Sequence, residues 1–323
     1  MIRGAAALAL AALLAACAGP RGAEAPFAFA VMGDVPYSAE EERLFEAMLR
    51  DIDRERLAFV AHVGDFRGGN EACSDALFAR RRAQLDAMRH AVVFTPGDNE
   101  WADCARGDPP FDPLERLARL RELFFATDAT LGARPLTQHV QRGCLAPPVE
   151  GCGCAAHPEN RTWTIGRVRF VTVNLSGSRN NVGYSAATDR EARCRDVANA
   201  RWIAEAAREA RAESAVAMVI LTQANPWWTR GDEFAPFLGS VRAAAAELAR
   251  PVLLVHGDTH VYRADFPFRD AFGEALPHLS RLETWGSPFI GWVKVWVDPS
   301  RPDPFAFEPR LAAVTIPWWY LGR

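Results

Sequence analysis

Short apolar runs alternate along the chain with longer segments in which apolar residues recur at helical spacing. The runs that predict strands are 27–32, 57–63, 91–95, 168–173, 216–221 and 252–256. The segments that predict helices are 39–53, 75–88, 113–125, 189–211 and 234–249. Strands that alternate with helices in this way are typical of βαβ units around a largely parallel sheet.

Beyond residue 256 the apolar runs continue without helical segments between them. The runs 279–285, 292–297 and 311–316 predict antiparallel strands of a second sheet packed on the first. A hairpin is predicted around Gly166-Arg167, from 163–165 to 168–173. We therefore predict an α/β fold: a four-layer α/β/β/α sandwich of two mixed β-sheets flanked by helices. It would form a single domain over residues 27–323.

One segment departs from this alternation. Residues 126–160 are rich in Gly, Pro and Cys and show no sustained period, which predicts a Cys/Pro-rich insertion in the domain.

The N-terminus predicts export. A basic start at Arg3 precedes an Ala/Leu run that is too short for a stable transmembrane helix. It ends in Leu-Ala-Ala-Cys at Cys17, which resembles the signal of bacterial lipoproteins. The resemblance implies a signal peptide over 1–16, a lipid on Cys17, a tether over 17–26 and a membrane anchor on the periplasmic face. A simple secretory peptide cut near Ala16 or Ala18 is the alternative.

Export changes the interpretation of the cysteines. Six follow Cys17: Cys73, Cys104, Cys144, Cys152, Cys154 and Cys194. An even number in an exported chain predicts three disulfides, and the sequence leaves about 15 connectivities open. Cys152 and Cys154 stand too close to pair, so we expect them to have different partners. The alternative is a zinc site built from Cys144, Cys152, Cys154 and His157.

Composition excludes one class of partner. The chain has 323 residues, 49% of them hydrophobic, which is enough for a large core. Its formal net charge is -3, so it has no basic field of the kind that attracts nucleic acids.

Four predicted strands end in the same dipeptide. Gly-Asp follows each of them and supplies Asp34, Asp65, Asp98 and Asp258. Strand ends of α/β folds form ligand sites, and glycine allows the backbone to turn closely around a ligand. A single Gly-Asp is usually an ordinary turn, whereas four of them predict a shared site. Clustered carboxylates repel one another unless cations lie among them, so the pattern predicts divalent metal ions.

The arrangement resembles the calcineurin-like metallophosphoesterases from about residue 27 to about residue 265. Asp34 matches the Asp of the first motif, Asp65 the Gly-Asp motif, and His260 the last His of the final motif. The resemblance implies that Asp34 and His260 bind the first metal and that Asp65 bridges two metals. Asp98 takes the place of a ligand Asn. Asn99 takes the place of the His that contacts phosphate and protonates the leaving group.

The chain departs from the family pattern at several ligands. Pro36 stands where the first motif has His, Asp98 replaces Asn, and Asp258 replaces a His ligand. Gln223 or Asn225 stands where an isolated His is expected. The resulting donor set is rich in oxygen, and oxygen ligands favour Mn²⁺ or Mg²⁺, with Ca²⁺ or iron as further options, over Zn²⁺.

Asn99 cannot donate a proton as an imidazole would. His256, like His62, lies at the end of an apolar strand, where it is either a catalytic group or a packed and hydrogen-bonded core histidine. Arg67 is a candidate phosphate contact, or else a partner in a salt bridge. We expect Glu100 to bond the neighbouring backbone or ligand rather than a metal.

The sequence thus predicts a lipid-anchored, metal-dependent phosphoesterase that hydrolyses a phosphate mono- or diester of a small molecule. The alternative is a catalytically weak or inactive lipoprotein that keeps the fold and binds a metal or an anion. The lost His ligands favour this alternative, whereas an Asp retained after each of four strands argues against it.

Overall fold

Strands and helices alternate through most of the chain. A computed structural model describes residues 25–143, 147–229 and 231–315. Its strands are β1 (Phe27–Met32), β2 (Val60–His62), β3 (Val92–Phe94), β4 (His139–Gln141), β5 (His157–Ile165), β6 (Val168–Thr172), β7 (Ala217–Leu221), β8 (Val252–His256), β9 (Arg263–Asp265), β10 (Leu279–Glu283), β11 (Phe289–Val297) and β12 (Phe305–Val314). Its helices are α1 (Ala39–Arg54), α2 (Asp75–Asp86), α3 (Pro113–Phe124), α4 (Ala186–Ala212) and α5 (Ala235–Leu248). The predicted signal peptide, Cys17 and most of the tether lie outside the described residues.

Side-chain caps fix where the helices begin. Ser38, Ser74 and Ser185 each accept a hydrogen bond from a backbone N–H in the first turn of α1, α2 and α4. Asp112 does the same for α3, whose first residue is Pro113. These bonds satisfy N–H groups that have no partner inside the helix, and proline is tolerated at the first position because it lacks that N–H.

The strands form two mixed sheets. The first has the order β12-β11-β1-β2-β3, and the second has the order β4-β5-β6-β7-β8-β10-β9. β1, β2 and β3 are parallel, and so are β6, β7, β8 and β10. The remaining pairs are antiparallel. The predicted mixed sheets and the β5–β6 hairpin are confirmed.

The division of strands between the sheets corrects one prediction. The second sheet is built mainly from the strands β4 to β8, and of the C-terminal strands only β9 and β10 belong to it. β10 joins it parallel to β8, whereas β11 returns to the first sheet, with Phe27 opposite Val297. Residues of β1 and β8 are buried on both faces, so their apolar pattern carries no information about which strand lies beside them.

Three apolar clusters separate the layers. Between the sheets, the rings of Phe29 and Phe59 stack at 4.8 Å, and Phe170 meets both of them edge-on. A second cluster fills the space between the first sheet and the helices α1, α2 and α3. A third lies between the second sheet and the helices α4 and α5. The architecture is therefore the predicted sandwich of two sheets flanked by helices.

The segment predicted as an insertion, 126–160, contributes to the sheets. It contains β4 and the first residues of β5, and it bridges to β3, where the Val92 N–H donates to the Leu131 carbonyl at 2.8 Å. β4 and β9 were not predicted, because each has three residues and little apolar character. Their place is set by pairing with β5 and β10.

Two disulfides join pairs of cysteines that both lie in the described residues. Cys73 is bonded to Cys104, and Cys152 is bonded to Cys194. Cys154 is also disulfide-bonded, so Cys152 and Cys154 have different partners, as predicted. The zinc alternative is wrong, since disulfide sulfurs are not the thiolates that zinc requires. Cys144 lies outside the described residues.

Disulfides are typical of proteins in oxidising compartments outside the cytoplasm. In the parts of the chain that the structure describes, no helix is long and apolar enough to cross a membrane.

A buried ion pair joins α3 to the second sheet. Glu159 on β5 is fully buried, and its carboxylate accepts from Arg121 Nε at 3.0 Å and from Arg121 Nη2 at 2.6 Å. Burial by itself raises the pKa of Glu159, but the charge and hydrogen bonds of Arg121 outweigh it and lower the pKa to about 2. The ionised pair is therefore part of the folded state at neutral pH.

Glu159→Gln is expected to lower the free energy of unfolding by about 3 kcal/mol at pH 7, because it leaves the buried charge of Arg121 unpaired. In the wild type this contribution is present above about pH 4.5 and is lost as the pH falls towards 2. Urea unfolding at several pH values measures both effects. Glu115→Gln, which removes a half-exposed partner of Arg116, is the control and should cost less than about 1 kcal/mol. Equal losses in the two variants would contradict the assignment.

Candidate active site

The four Gly-Asp dipeptides that follow strands, here called the Gly-Asp corners, meet at one edge of the sandwich. Asp34, Asp65 and Asp98 follow β1, β2 and β3 of the first sheet, and Asp258 follows β8 of the second. The Asp34 N–H donates to the Gly64 carbonyl at 2.9 Å. The Asp258 N–H donates to Asp34 Oδ1 at 3.0 Å, which joins the two sheets at this edge. The carboxylates thus come from both sheets to one place.

The backbone at these corners adopts a conformation that most residues avoid. The φ angles of Asp34, Asp65, Asp258 and His260 are 54°, 57°, 80° and 66°. Left-handed backbone at a residue other than glycine costs on the order of 1–3 kcal/mol, and such residues are concentrated at functional sites. Aspartate tolerates this region better than most residues, which is one reason for its recurrence here.

The glycines before the aspartates leave room for the neighbouring corner. A Cβ at Gly257 would lie 2.1 Å from Asp34 Oδ2, and a Cβ at Gly97 would lie 1.9 Å from Asp65 Oδ1. Neither distance is compatible with a side chain. At these two positions glycine is required because the carboxylate of another corner lies against the backbone, whereas the atoms nearest to a Cβ at Gly33 or Gly64 are not carboxylate oxygens.

The Glu100 side chain bonds the backbone of two corners, those of Asp65 and Asp98. Its side chain is fully buried, and it accepts from the Phe66 N–H at 2.5 Å and from the Gly97 N–H at 2.8 Å. Glu100 therefore bonds the backbone, as predicted.

The site carries unbalanced negative charge. Burial, followed by the charge of Asp258, raises the pKa of Asp34 well above its ordinary value. Burial, followed by the charge of Asp98, raises the pKa of Asp65 well above its ordinary value. The same two causes raise the pKa of Asp258 to about 7. After burial, the charges that act most strongly on these groups belong to other carboxylates, so the carboxylates repel one another.

His260, Tyr37 and Asn99 lie around Asp34 and Asp65. His260 Nε2 is 3.8 Å from Asp34 Oδ1, and its Nδ1 is 2.5 Å from the Ser287 carbonyl. The Tyr37 hydroxyl is 3.1 Å from Asp65 Oδ2 and 3.4 Å from His260 Nε2. Asn99 Nδ2 donates to that hydroxyl at 3.0 Å. Tyr37 was missed in the sequence, although it follows Asp34 by three positions.

The amide side chains after β7 reach the same place from the second sheet. Gln223 Nε2 donates to Asp65 Oδ2 at 3.2 Å, and its Oε1 accepts from the Gly177 N–H at 2.9 Å. Asn225 donates its backbone N–H to Asp258 Oδ2 at 2.8 Å. Of the two alternatives left open by the sequence, Gln223 bonds a site carboxylate through its side chain, whereas Asn225 does so through its backbone.

A left-handed turn presents a hydroxyl to Asp98. Residues 178–181 have consecutive φ angles of 47°, 57°, 57° and 63°. Ser178 Oγ lies 2.7 Å from Asp98 Oδ2 and 2.6 Å from Asp103 Oδ1. No motif in the sequence marks this turn. The turn lies between β6 and α4 in the chain, and only the tertiary structure brings it to Asp98 after β3.

Two candidates are close in the chain to site aspartates, but their side chains are buried and bonded to backbone carbonyls. Arg67 is fully buried, and its guanidinium donates to the carbonyls of Asn99, Gly68 and Glu71. Its donors therefore support a loop, and the structure does not place it as a phosphate contact. His256 is also fully buried; its Nδ1 is 2.8 Å from the Gly257 carbonyl, and burial lowers its pKa to about 3. A neutral imidazole in this position is a packed core group, as is His62, whose pKa burial also lowers to about 3.

The donor chemistry of the site suits a hard divalent cation, because its side chains offer mainly carboxylate and amide oxygens. In the described residues no group of three or more His, Cys, Asp or Glu side chains is drawn together closely enough to hold a metal ion. The carboxylates are instead bonded to Ser178, Gln223, Tyr37 and backbone N–H groups. Metal binding would require them to turn from these partners towards a common centre.

Comparison with known proteins gives little guidance. No family model matches the chain. No curated protein sequence matches it either. Among solved structures, it is similar to a novel phosphatase from Mycoplasma pneumoniae, with 10% identity and a TM-score of 0.45 over 93% of this chain and 98% of that one. A likeness of that size supports no statement about the activity of this protein.

Gly257→Ala is expected to displace the Asp34 carboxylate and to destabilise the protein by about 1–3 kcal/mol, because the added Cβ would overlap Asp34 Oδ2. Gly239→Ala is the matched control: Gly239 lies within α5, and a Cβ there meets open space. It should leave stability unchanged or raise it by up to about 1 kcal/mol. Thermal unfolding measures both variants, and a Gly257 variant as stable as the wild type would contradict the packing at this edge.

Proposed function

We propose that the protein is a metal-dependent phosphoesterase that acts outside the cytoplasm. The observation that carries the proposal is the convergence of four Gly-Asp corners from two sheets, of which Asp34, Asp65 and Asp98 are buried and Asp258 is half-buried. Besides burial, the charges that raise the pKa of Asp34, Asp65 and Asp258 belong to other carboxylates. Burying several carboxylates together is costly unless cations balance them. A site that accepts this cost, together with left-handed backbone at three of the aspartates, is suited to holding metal ions.

Asp34, Asp65, Asp98, Asp258 and His260 are the residues we assign to metal binding, with Gln223 as an amide ligand. One or two divalent ions would bind, with Mn²⁺ or Mg²⁺ preferred over Zn²⁺ because most of the donors are oxygens. When bound, such ions polarise a phosphoryl group and lower the pKa of water so that it attacks at neutral pH.

We assign Asn99 to orient the phosphate. Its Nδ2 donates to the Tyr37 hydroxyl at 3.0 Å and to the Arg67 carbonyl at 2.9 Å, so one of these two hydrogen bonds would be exchanged for one to a phosphoryl oxygen. An amide can donate a hydrogen bond to a phosphoryl oxygen but cannot transfer a proton at a useful pKa. Burial, followed by the charge of Asp65, raises the pKa of Tyr37 well above 10, so its hydroxyl stays protonated. Substrates whose leaving group departs without a strong acid fit this site best.

The second candidate is a non-catalytic protein that binds a metal or an anion at the same place. One specific observation favours it: beside the described carboxylates, the position of the expected proton-donating His is occupied by Asn99, which has no imidazole. Tight metal or anion binding without turnover of any ester would establish it.

For location, we propose that a lipid on Cys17 anchors the protein to the periplasmic face of a bacterial membrane. The disulfides support a compartment outside the cytoplasm. The small-molecule ester would reach the site from that compartment.

Hydrolysis of bis(4-nitrophenyl) phosphate with Mn²⁺ tests the proposal directly. The wild type is expected to release nitrophenol in a metal-dependent way. Asp65→Asn should lower the rate at least about 100-fold, because the Asp65 carboxylate bonds the Asn99 N–H of the first sheet and the Gln223 amide of the second. Asp303→Asn, at an exposed loop position, should retain full activity. A wild type without turnover across Mn²⁺, Mg²⁺, Ca²⁺ and iron would reject the enzyme.

Thermal unfolding tests metal binding independently of catalytic activity. In chelator, Asp258→Asn is expected to raise the melting temperature by about 2–4 °C, because it removes one of the repelling charges. Excess Mn²⁺ at 100 times its Kd should stabilise the wild type by about 2.7 kcal/mol and the variant by much less. Asp303→Asn should behave as the wild type in both conditions. A wild type that does not respond to any of the metals would contradict the proposed metal site.

A further inference from the structure

A cavity of about 760 Å³ opens directly beside the carboxylates. Asp98 and Asp258 form part of its wall. Its volume is in the range of small-molecule sites, which is roughly 300–1,000 Å³. A group bound in the cavity would therefore lie next to the proposed reacting phosphate.

One side of the cavity is aromatic. Trp227, Trp228 and Phe234 line it. Trp227 is committed to the fold, since Arg281 lies over its ring at 4.7 Å and Phe268 meets it edge-on at 5.2 Å. Trp228 is 72% exposed, although large apolar side chains are usually covered. It is thus the aromatic face available to a ligand.

Other lining residues of the cavity are polar or charged. Arg179 Nε donates to Glu233 Oε1 at 2.9 Å, and Thr229 Oγ1 donates to Glu233 Oε2 at 2.7 Å. The Arg179 side chain is 66% exposed, so its guanidinium faces solvent beside the carboxylate. The Arg179 guanidinium, a hydrogen-bond donor, and the Glu233 carboxylate, an acceptor, therefore lie side by side. A planar ligand ring that carries both an acceptor and a donor on its edge could bond both of them.

Short hydrogen-bonded connections link the aromatic and the charged lining residues to the carboxylates. Asn225 donates its N–H to Asp258, and its carbonyl and Oδ1 accept from the N–H groups of Trp228 and Trp227 at 2.9 and 3.1 Å. Arg179 follows Ser178, whose hydroxyl bonds Asp98, in the left-handed turn. The distance from the carboxylates to each wall is thus set by short, hydrogen-bonded connections.

We propose that this cavity binds a planar heteroaromatic group of the substrate, stacked on Trp228 and hydrogen-bonded at its edge by Arg179 and Glu233. The substrate class is a phosphate ester that carries a nucleobase-like ring. The ester part of this proposal rests on the proposed phosphoesterase function. A purely apolar ligand would make no use of the exposed guanidinium of Arg179, and a simple alkyl ester would leave Trp228 exposed.

Two esters with the same leaving group test the cavity. Thymidine 5′-(4-nitrophenyl) phosphate and methyl 4-nitrophenyl phosphate both release nitrophenol, so that differences in KM report the second substituent. The wild type is expected to show the lower KM for the thymidine ester. Trp228→Ala should reduce that preference roughly tenfold, the size of one stacking contact, whereas Trp228→Phe should keep most of it. Trp296→Ala, at an exposed Trp on β11, is the matched control and should leave the preference unchanged.

Equal KM values for the two esters in the wild type, or a preference that Trp228→Ala does not alter, would overturn the cavity proposal while leaving the phosphoesterase intact. Equilibrium binding of thymidine monophosphate and ribose 5-phosphate, measured by calorimetry, decides the case without turnover. Weaker binding of thymidine monophosphate alone in Trp228→Ala supports the cavity even if no ester is hydrolysed. An equal effect on both ligands, or none on either, overturns it.

Discussion

The carboxylates at the edge of the two sheets repel one another, and much of the surrounding structure acts to hold them together. Backbone N–H groups of Asp258 and Asn99 donate to Asp34 and Asp65, and Glu100 bonds the backbone of two corners. Glycines leave space where a carboxylate of one corner meets the backbone of the next. Such an assembly is unfavourable without positive charge to balance it, and this is the physical reason for proposing that metal ions bind there.

The sandwich makes this assembly stable. Apolar clusters fill the spaces on both sides of each sheet, so the strand ends that carry the carboxylates are fixed by a large core. The left-handed backbone at Asp34, Asp65 and Asp258 is tolerated because the strands before it are fully buried. Under the proposed function, the side chains would exchange their present hydrogen bonds for bonds to a metal, while the backbone of the site stays fixed.

The oxygen-rich donor set and the missing imidazole point to the same chemistry. Asn99 and Tyr37 can position groups near Asp65 but do not supply an acid at neutral pH. The adjoining cavity offers an aromatic face and a charged edge instead. Specificity for one class of ester would then come from binding a ring beside the phosphate, with the reaction limited to leaving groups that need little protonation.

The periodicity of apolar residues by itself determined most of the helices and strands, because the local spacing of apolar residues shows whether one helix face or a whole strand is buried. The Gly-Asp repeats likewise marked Asp34, Asp65, Asp98 and Asp258 as strand-end residues. Only the tertiary structure decided which sheet each strand joined, since strands buried on both faces carry no pairing information. It also decided that Arg67 and His256 are packed inside while Tyr37, Ser178 and Trp228 face the site. Those outcomes depend on contacts between residues far apart in the chain, which no local pattern records.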